Sequence, residues 1–279
     1  MKKAFSLFEL SIVILIIAVI IIGITQSGSL VKKSRLATAQ ALTENSIVNN
    51  LDGLLAWYET SLESSFLASE IGDGNLISSW MDNNSKAVNK NHATQATSAN
   101  KPKFYENVFN GAIPAMRFDG TNDLMDFDGS ALASSAYSIF VVEQRRSSAG
   151  DNYFIGGTTI AANSNLLLGY IINTTVTQGH YANDLDVAIA AYSAPIARIH
   201  TFSFDTTNGK NHFINGASIG SAAQLTALAS YSGAALGRYS SSFYNGDIAE
   251  VIIFKTKLKS EDRAAVEIYL SKKYGIKFS

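Results

Sequence analysis

The first 25 residues, MKKAFSLFELSIVILIIAVIIIGIT, constrain this chain more than any other stretch. Lys2, Lys3 and a small residue precede an apolar run of 20 residues from Phe5 to Ile24. As a helix that run is about 30 Å long, just enough to span a bilayer. The two lysines favour an N-terminus left in the cytoplasm, although Lys32, Lys33 and Arg35 on the far side reduce the asymmetry. The run contains one acid, Glu9. A carboxylate at a bilayer centre costs about 2.5–3.5 kcal/mol, so such an acid points to a function rather than to simple anchoring.

A plain secretory signal would end in small residues, which Thr25-Gln26-Ser27 does not supply, and would leave Glu9 unexplained. The pattern of basic residues, a small residue, Phe, and an acid at the fifth position after it resembles the class III signal of type IV prepilins and pseudopilins. The resemblance implies a leader of residues 1–4, cleavage by a prepilin peptidase between Ala4 and Phe5, and N-methylation of Phe5. Most members carry Gly where this chain has Ala4. It further implies that Glu9 pairs with the Phe5 amine of a neighbouring subunit in a filament. A buried charge is tolerable when paired, so the carboxylate would act as a register key. The expected partners are therefore prepilin peptidase, other pilin or pseudopilin subunits and the membrane. The expected route runs from the bacterial inner membrane, with the globular part in the periplasm, to a surface filament. The simpler alternative is an uncleaved membrane anchor.

Beyond the anchor (residues 5–25), Leu30, Ala37, Ala41, Val48 and Leu51 recur at spacings that predict an amphipathic helix over 26–52. Lys33, Arg35, Gln40 and Glu44 fall on the opposite side. One continuous helix from Phe5 to about Asn50 would measure about 70 Å, with Asp52-Gly53 as its stop.

From Gly53 the signals change to strands and turns. Short apolar runs occur at Leu54–Tyr58, Leu76–Met81, Ala115–Phe118, Ser138–Glu143, Leu166–Ile172, Ile199–Phe204 and Ile248–Phe254. Between them stand Asn110-Gly111, Asp119-Gly120, Asn208-Gly209, Asn215-Gly216 and Asn245-Gly246, pairs that favour the positive φ of tight hairpins. This spacing predicts an antiparallel sandwich over 53–279. Asn83–Asn100 reads as a polar surface loop. Ser260 to Lys273 reads as a helix with Ala264, Ala265, Ile268 and Tyr269 inward, closed by Gly275 and buttressing one end of the sandwich. The fold class expected is thus α+β: a long N-terminal helix, then an all-β sandwich with a C-terminal helix.

Several stretches, DGLLAWYETS, SWMDNNS, PAMRFDGTNDLMDF and GDIAEVIIFKTKLKSEDRAAVEIYLSKKYGI, resemble the concanavalin A-like, laminin G-type jelly-roll domains of bacterial secreted proteins. That resemblance implies a lectin-like domain for adhesion, displayed by a minor pilin or pseudopilin of a type IV pilus or type II secretion filament. It makes a glycan or cell-surface protein the expected ligand. The alternative is a membrane-anchored carbohydrate-binding protein outside any fibre.

Composition excludes other classes. The net charge of −1, with no basic stripe, argues against nucleic acid. The absence of cysteine removes disulfides and Cys-bearing zinc sites. Glycoside hydrolysis needs two carboxylates flanking the bond. The hydrolases of the jelly-roll family carry a Glu-x-Asp-x-Glu strand that is missing here, and Asp247 and Glu250, three apart in a strand, should face opposite sides. No enzyme activity is therefore expected. Asp119, Asp123, Asp126 and Asp128 (with Asn122) could offer oxygen ligands to calcium, the one cofactor considered, though without EF-hand spacing. His92, His180, His200 and His212 lack metal-ligand spacing, and His200 reads as a hydrogen-bonded core residue. Tyr181, Tyr192, Tyr239 and Tyr244, with Tyr231, are the candidates for a ligand-stacking surface.

Overall fold

The computed structural model describes the backbone of residues 7–279. Within the first helix it describes the side chains of Val13, Ile14, Ile17 and all residues from Gly28 onward. The expected cleavage site at Ala4 and Phe5 lies outside the described residues, as does the side chain of Glu9.

Helix α1 (Leu7–Glu44) precedes β1 (Leu54–Glu59), β2 (Ser79–Trp80), β3 (Ala93–Thr94), β4 (Lys103–Phe109), β5 (Ile113–Asp119) and β6 (Met125–Asp126). Next come β7 (Tyr137–Arg145), β8 (Asn152–Gly156), β9 (Leu167–Ile172), β10 (Thr175–Gly179), β11 (Leu185–Ala188) and β12 (Arg198–Asp205). The chain closes with β13 (Gly209–Ile214), β14 (Ala217–Ala222), β15 (Ala235–Leu236), β16 (Arg238–Tyr239), β17 (Ser242–Phe243), β18 (Asn245–Phe254) and α2 (Ser260–Tyr274).

Two open eight-stranded antiparallel sheets carry the fold. The first runs β14-β13-β12-β7-β18-β5-β4, with β1 paired to the second half of β18 beyond the end of β5. The second runs β11-β10-β9-β8-β15-β6-β3-β2. Strand β7 shows why its sequence is a continuous apolar run rather than an alternation. Ile139 and Val141 point into the core between the sheets, while Phe140 and Val142 point into a second core under the helices. A strand covered on both faces has no polar side to present.

This is a mostly β protein, which corrects the α+β expectation: the helices pack on the outside of the first sheet and contribute no layer of their own beyond that cover. The helix does not reach Asn50. It stops at Glu44, and Val48–Asn50 form a short 3₁₀ turn. The docking face also differs from the predicted one, since Leu30, Ala37 and Ala41 are exposed while Ala39 and Thr43 are buried. Thr43 and Gln40 reach this face because their polar atoms find partners there. Gln40 Nε2 donates to the Ser61 carbonyl at 2.9 Å, and Thr43 Oγ1 lies 3.3 Å from both the Ser61 and the Tyr269 hydroxyls. Among the described residues no helix is long and apolar enough to cross a membrane.

Helix α2 lies on the outer face of the first sheet rather than at one end of the sandwich. It buries Val266, Glu267, Tyr269, Leu270, Lys273 and Tyr274, and leaves Ile268 exposed. Lys259, not Ser260, occupies the N-cap, and Gly275 ends the helix at φ 65° as predicted. Two turn pairs show how position decides their use. Asn215 and Gly216 take φ of 53° and 86° between Ile214 and Ala217, which pair directly as a hairpin. Asn245-Gly246 instead opens β18, and Gly246 is required there because any Cβ would strike the Tyr244 ring.

Candidate functional site

Alternation along β18 is broken by a bulge between Ile248 and Glu250. A bulge inserts one residue and re-phases the rest of the strand. Ile248 and Val251 both stay in the inner core, so Asp247 and Glu250 both face outward, which corrects the expectation that they lie on opposite sides. Beyond the helices, the outer face of β4, β5 and β18 opens into a polar groove of about 380 Å³.

Asp247 does not line this groove but is fully buried against two residues that do, Arg117 and Arg146. Arg117, opposite it on β5, donates from Nε at 2.6 Å and from Nη2 at 3.2 Å, a two-pronged pairing. Gln144 Nε2 adds a bond at 2.9 Å, and Arg146 Nη1 approaches at 3.4 Å. The Arg117 guanidinium lies 4.0 Å from the Tyr105 ring centre, which fixes both side chains on the groove wall. Two arginines therefore stand over one buried carboxylate, and Lys101 and Lys103 add further positive charge at the rim.

The turn after β5 supplies the acidic side. Asp119 Oδ1 accepts from the amides of Thr121 and Asn122, and Asp123 Oδ2 accepts from the Asp119 amide at 2.9 Å. Burial, and then the neighbouring Asp119 carboxylate, push the Asp123 carboxyl up to about 6. Asn245 bonds the Asp119 carbonyl through Nδ2 at 3.1 Å and lines both this groove and an adjoining one of about 290 Å³. The second groove is walled by Asp151, Asn152 and Phe243. Together they form a cleft rich in carboxylates, amides and hydroxyls, with Tyr105 and Phe243 as flat apolar surfaces. A more apolar cavity of about 270 Å³ lies along the seam between α1 and the sandwich, lined by Leu36, Leu62, Phe66 and Phe104 among others.

The residues predicted from sequence are divided among several places. Asp119 and Asp123 line the polar groove. Asp126 pairs with Arg238 at 3.4 Å, and Asp128 accepts from the Ser130 amide at 2.9 Å. Each carboxylate is thus committed to a local turn or ion pair. Among the described residues no group of three or more acids and histidines is placed to hold a metal. Tyr181 and Tyr239 lie 6.5 Å apart on the outer face of the second sheet, where Tyr153 packs edge-on to Tyr239 at 5.1 Å. Tyr192 lies beside Arg145, and Tyr244 is fully buried with its hydroxyl on Glu143. Sequence reasoning missed Arg117, Tyr105, Arg146, Asn152 and Asp151. The available signal was Arg117 within the apolar strand AMRF, because a charge there requires a partner.

No protein-family model matches the chain, and no curated protein matches it in sequence. Solved structures share its fold. Domain 4 of AbnA, an extracellular GH43 arabinanase from Geobacillus stearothermophilus solved with arabinotriose, aligns with a TM-score of 0.52 at 16% identity, over 75% of this chain and 95% of that one. A Trypanosoma rangeli sialidase aligns at 0.55 and 12% identity, over 80% of this chain but 33% of its own. An arabinofuranosidase solved with arabinofuranosyl-α-1,2-xylobiose aligns at 0.52 and 15%, over 71% of this chain and 51% of its own. The chain therefore spans a third to a half of the latter two proteins. The shared feature is a sandwich-like fold found in carbohydrate-active proteins. This corrects the expectation that enzyme activity is absent. The fold occurs within glycosidase chains. The missing strand motif therefore no longer excludes catalysis.

Proposed function

We propose that the sandwich is a carbohydrate-binding domain whose glycan lies in the groove between Tyr105, Arg117, Asp119, Asp123 and Asn245. The observation that carries this reading is the groove's composition. Fixed donors and acceptors line it, beside the half-buried Tyr105 ring, on a fold shared with an arabinanase domain and a sialidase. The N-terminal segment, with its prepilin-like Ala4-Phe5 junction and Glu9, supports presentation of this domain by a minor pilin or pseudopilin. The domain would then act as the adhesive part of a surface filament.

Two measurements test the reading. A glycan array probed with the full chain should show binding that Tyr105→Ala removes. A parallel reducing-sugar assay on the bound glycans decides between capture and turnover, and release of sugar would make the groove an active site. N-terminal sequencing of the protein from its native membrane should begin at methylated Phe5. A retained Met1, or a start near Ser27, would sink the filament part of the proposal.

A further inference from the structure

Arg145, the last residue of β7, is completely buried, yet its Nε and Nη1 have no hydrogen-bond partner. A buried charge without compensation is among the costliest features a fold can keep. Its surroundings hold the guanidinium in place without neutralising it. The group lies 4.2 Å from the Tyr170 ring centre and 5.4 Å from that of Tyr192, and Nη2 makes one long bond, 3.4 Å, to the Ala190 carbonyl. Tyr170 is the nearer of the two rings, and N–H groups donate in the plane of the guanidinium, so a partner for the free ones must approach in that plane.

A second guanidinium lies alongside. Arg198 opens β12 and pairs in register with Glu143, which is two residues before Arg145 on the same inward face. Arg198 and Arg145 are therefore diagonal neighbours across the two strands, within reach for long side chains. Arg198 Nη1 is also without a partner. The nearest acid cannot serve both. Glu143 Oε1 accepts from the Tyr170 hydroxyl at 2.6 Å and His200 Nε2 at 3.1 Å, and its other oxygen accepts from the Tyr244 hydroxyl. Burial first, with Arg198 adding to it, presses the Arg145 guanidinium below its ordinary range.

The geometry points to an anion site at this end of the sandwich, in which Arg145 and Arg198 clasp the carboxylate of an acidic sugar beneath Tyr192. A planar two-oxygen anion matches the in-plane N–H edge of a guanidinium. Tyr192 offers a ring against which a pyranose can rest. The segment carrying it is tied down at two points, Tyr192 N to Asn173 Oδ1 at 2.9 Å and Ile189 N to the Thr174 carbonyl at 2.8 Å. The choice of an acidic sugar over a free anion rests on the carbohydrate-binding reading above. The site itself is separate from the groove at Arg117.

Calorimetric titration of the full chain in detergent micelles tests this, with sodium glucuronate as the probe and glucose, acetate and sulfate as comparisons. Glucuronate should bind, glucose should not compete for it, and acetate and sulfate should bind at least about tenfold more weakly. Arg198→Gln should weaken glucuronate by about tenfold or more, as expected for a lost charge-assisted pair, and should leave glycan binding by the groove unchanged. Arg145→Lys, which keeps the charge but loses the fork, should weaken it as well, with the thermal midpoint confirming that both variants fold. Equal binding of acetate or sulfate would overturn the assignment to a sugar. Glucuronate binding unaffected by Arg198→Gln, or none at all while the array still shows groove binding, would overturn the site. An array without any bound glycan, alongside glucuronate binding that depends on Arg198, would overturn the groove and leave this site standing.

Discussion

Glu59 and Glu250 stand directly opposite each other on β1 and β18, and one ammonium, that of Lys273 on α2, bridges both at 2.8 Å. All three side chains are fully buried. The remaining oxygens are satisfied by other donors. Trp57 Nε1 at 2.7 Å, Tyr269 at 2.8 Å and Tyr274 at 2.8 Å serve Glu250, while Ser61 and Ser65 hydroxyls and two backbone amides serve Glu59. Burial alone would lower the Lys273 ammonium, yet the two carboxylates hold it above its ordinary value. Thr43 on α1 touches both Tyr269 and Ser61 at 3.3 Å, so the network fastens both helices to the sheet.

Removing the cation should therefore be far costlier than removing the whole cluster. Lys273→Met leaves two facing carboxylates in an apolar layer and should lower unfolding free energy by about 3–5 kcal/mol. The triple variant that adds Glu59→Gln and Glu250→Gln should recover about half of that or more. Urea unfolding followed by Trp57 and Trp80 fluorescence measures both.

Asp123 should make the groove sensitive to pH. Its carboxyl binds a proton more readily in the folded chain than in the unfolded one, where about 3.9 is usual. Between about pH 4 and 6 the folded state thus holds more protons, and this residue's contribution to stability falls as pH rises through that window. Asp123→Asn should flatten the slope there. Glycan binding by the groove should change in the same interval, with a midpoint near 6 that the Asn variant loses.

His180 should act in the opposite sense. Its Nδ1–H donates to the Thr226 carbonyl at 2.9 Å, so Nε2 accepts from the Tyr137 hydroxyl at 3.0 Å, an arrangement that fits only the neutral ring. Burial, and then Lys210, lower its pKa to about 3. The unfolded chain takes up the proton first, so stability is present above about pH 6.5 and declines as pH falls from there toward 3. The full loss is on the order of 4–5 kcal/mol. Acid titration of His180→Gln against the parent should show a shallower decline in the variant, although its stability at pH 7 is lower.

Arg117→Ala should remove the two-pronged partner of buried Asp247 and cost about 2 kcal/mol in stability. Glycan binding by the groove should weaken by about tenfold or more with it. Arg117→Lys should restore part of the stability, since Lys keeps the charge, but little of the binding, since it lacks the fork. Comparable binding by Lys and Arg would show that charge alone matters at this position.

Much of the fold is legible in the sequence because its signals are local. The strands β1, β5, β7, β9, β12 and β18 coincide with apolar runs, and Asn215-Gly216 forms the turn its positive-φ preference predicts. The docking faces of both helices differ from the periodic reading, for the same reason in each case. Periodicity finds apolar stripes, but Thr43, Gln40 and Lys273 are turned inward by polar partners that lie elsewhere in the chain. Asp119 and Asp123, read as possible metal ligands, both line the groove, where Asp119 caps the turn after β5 and Asp123 accepts from the Asp119 amide.

Local pattern alone establishes the strand-rich character of residues 53–279, the hairpin turn at Asn215-Gly216 and the αL stop at Gly275. Those depend on backbone preference and on residue types within a few positions of one another. Which charges meet is a matter of the assembled fold. Arg117 finds Asp247 across 130 residues, Lys273 finds Glu59 across 214, and Arg145 is left with Arg198 rather than an acid. A bulge at one point of β18 and the register of strands far apart in the chain set those encounters, and neither leaves a local trace that a pattern of residue types can carry.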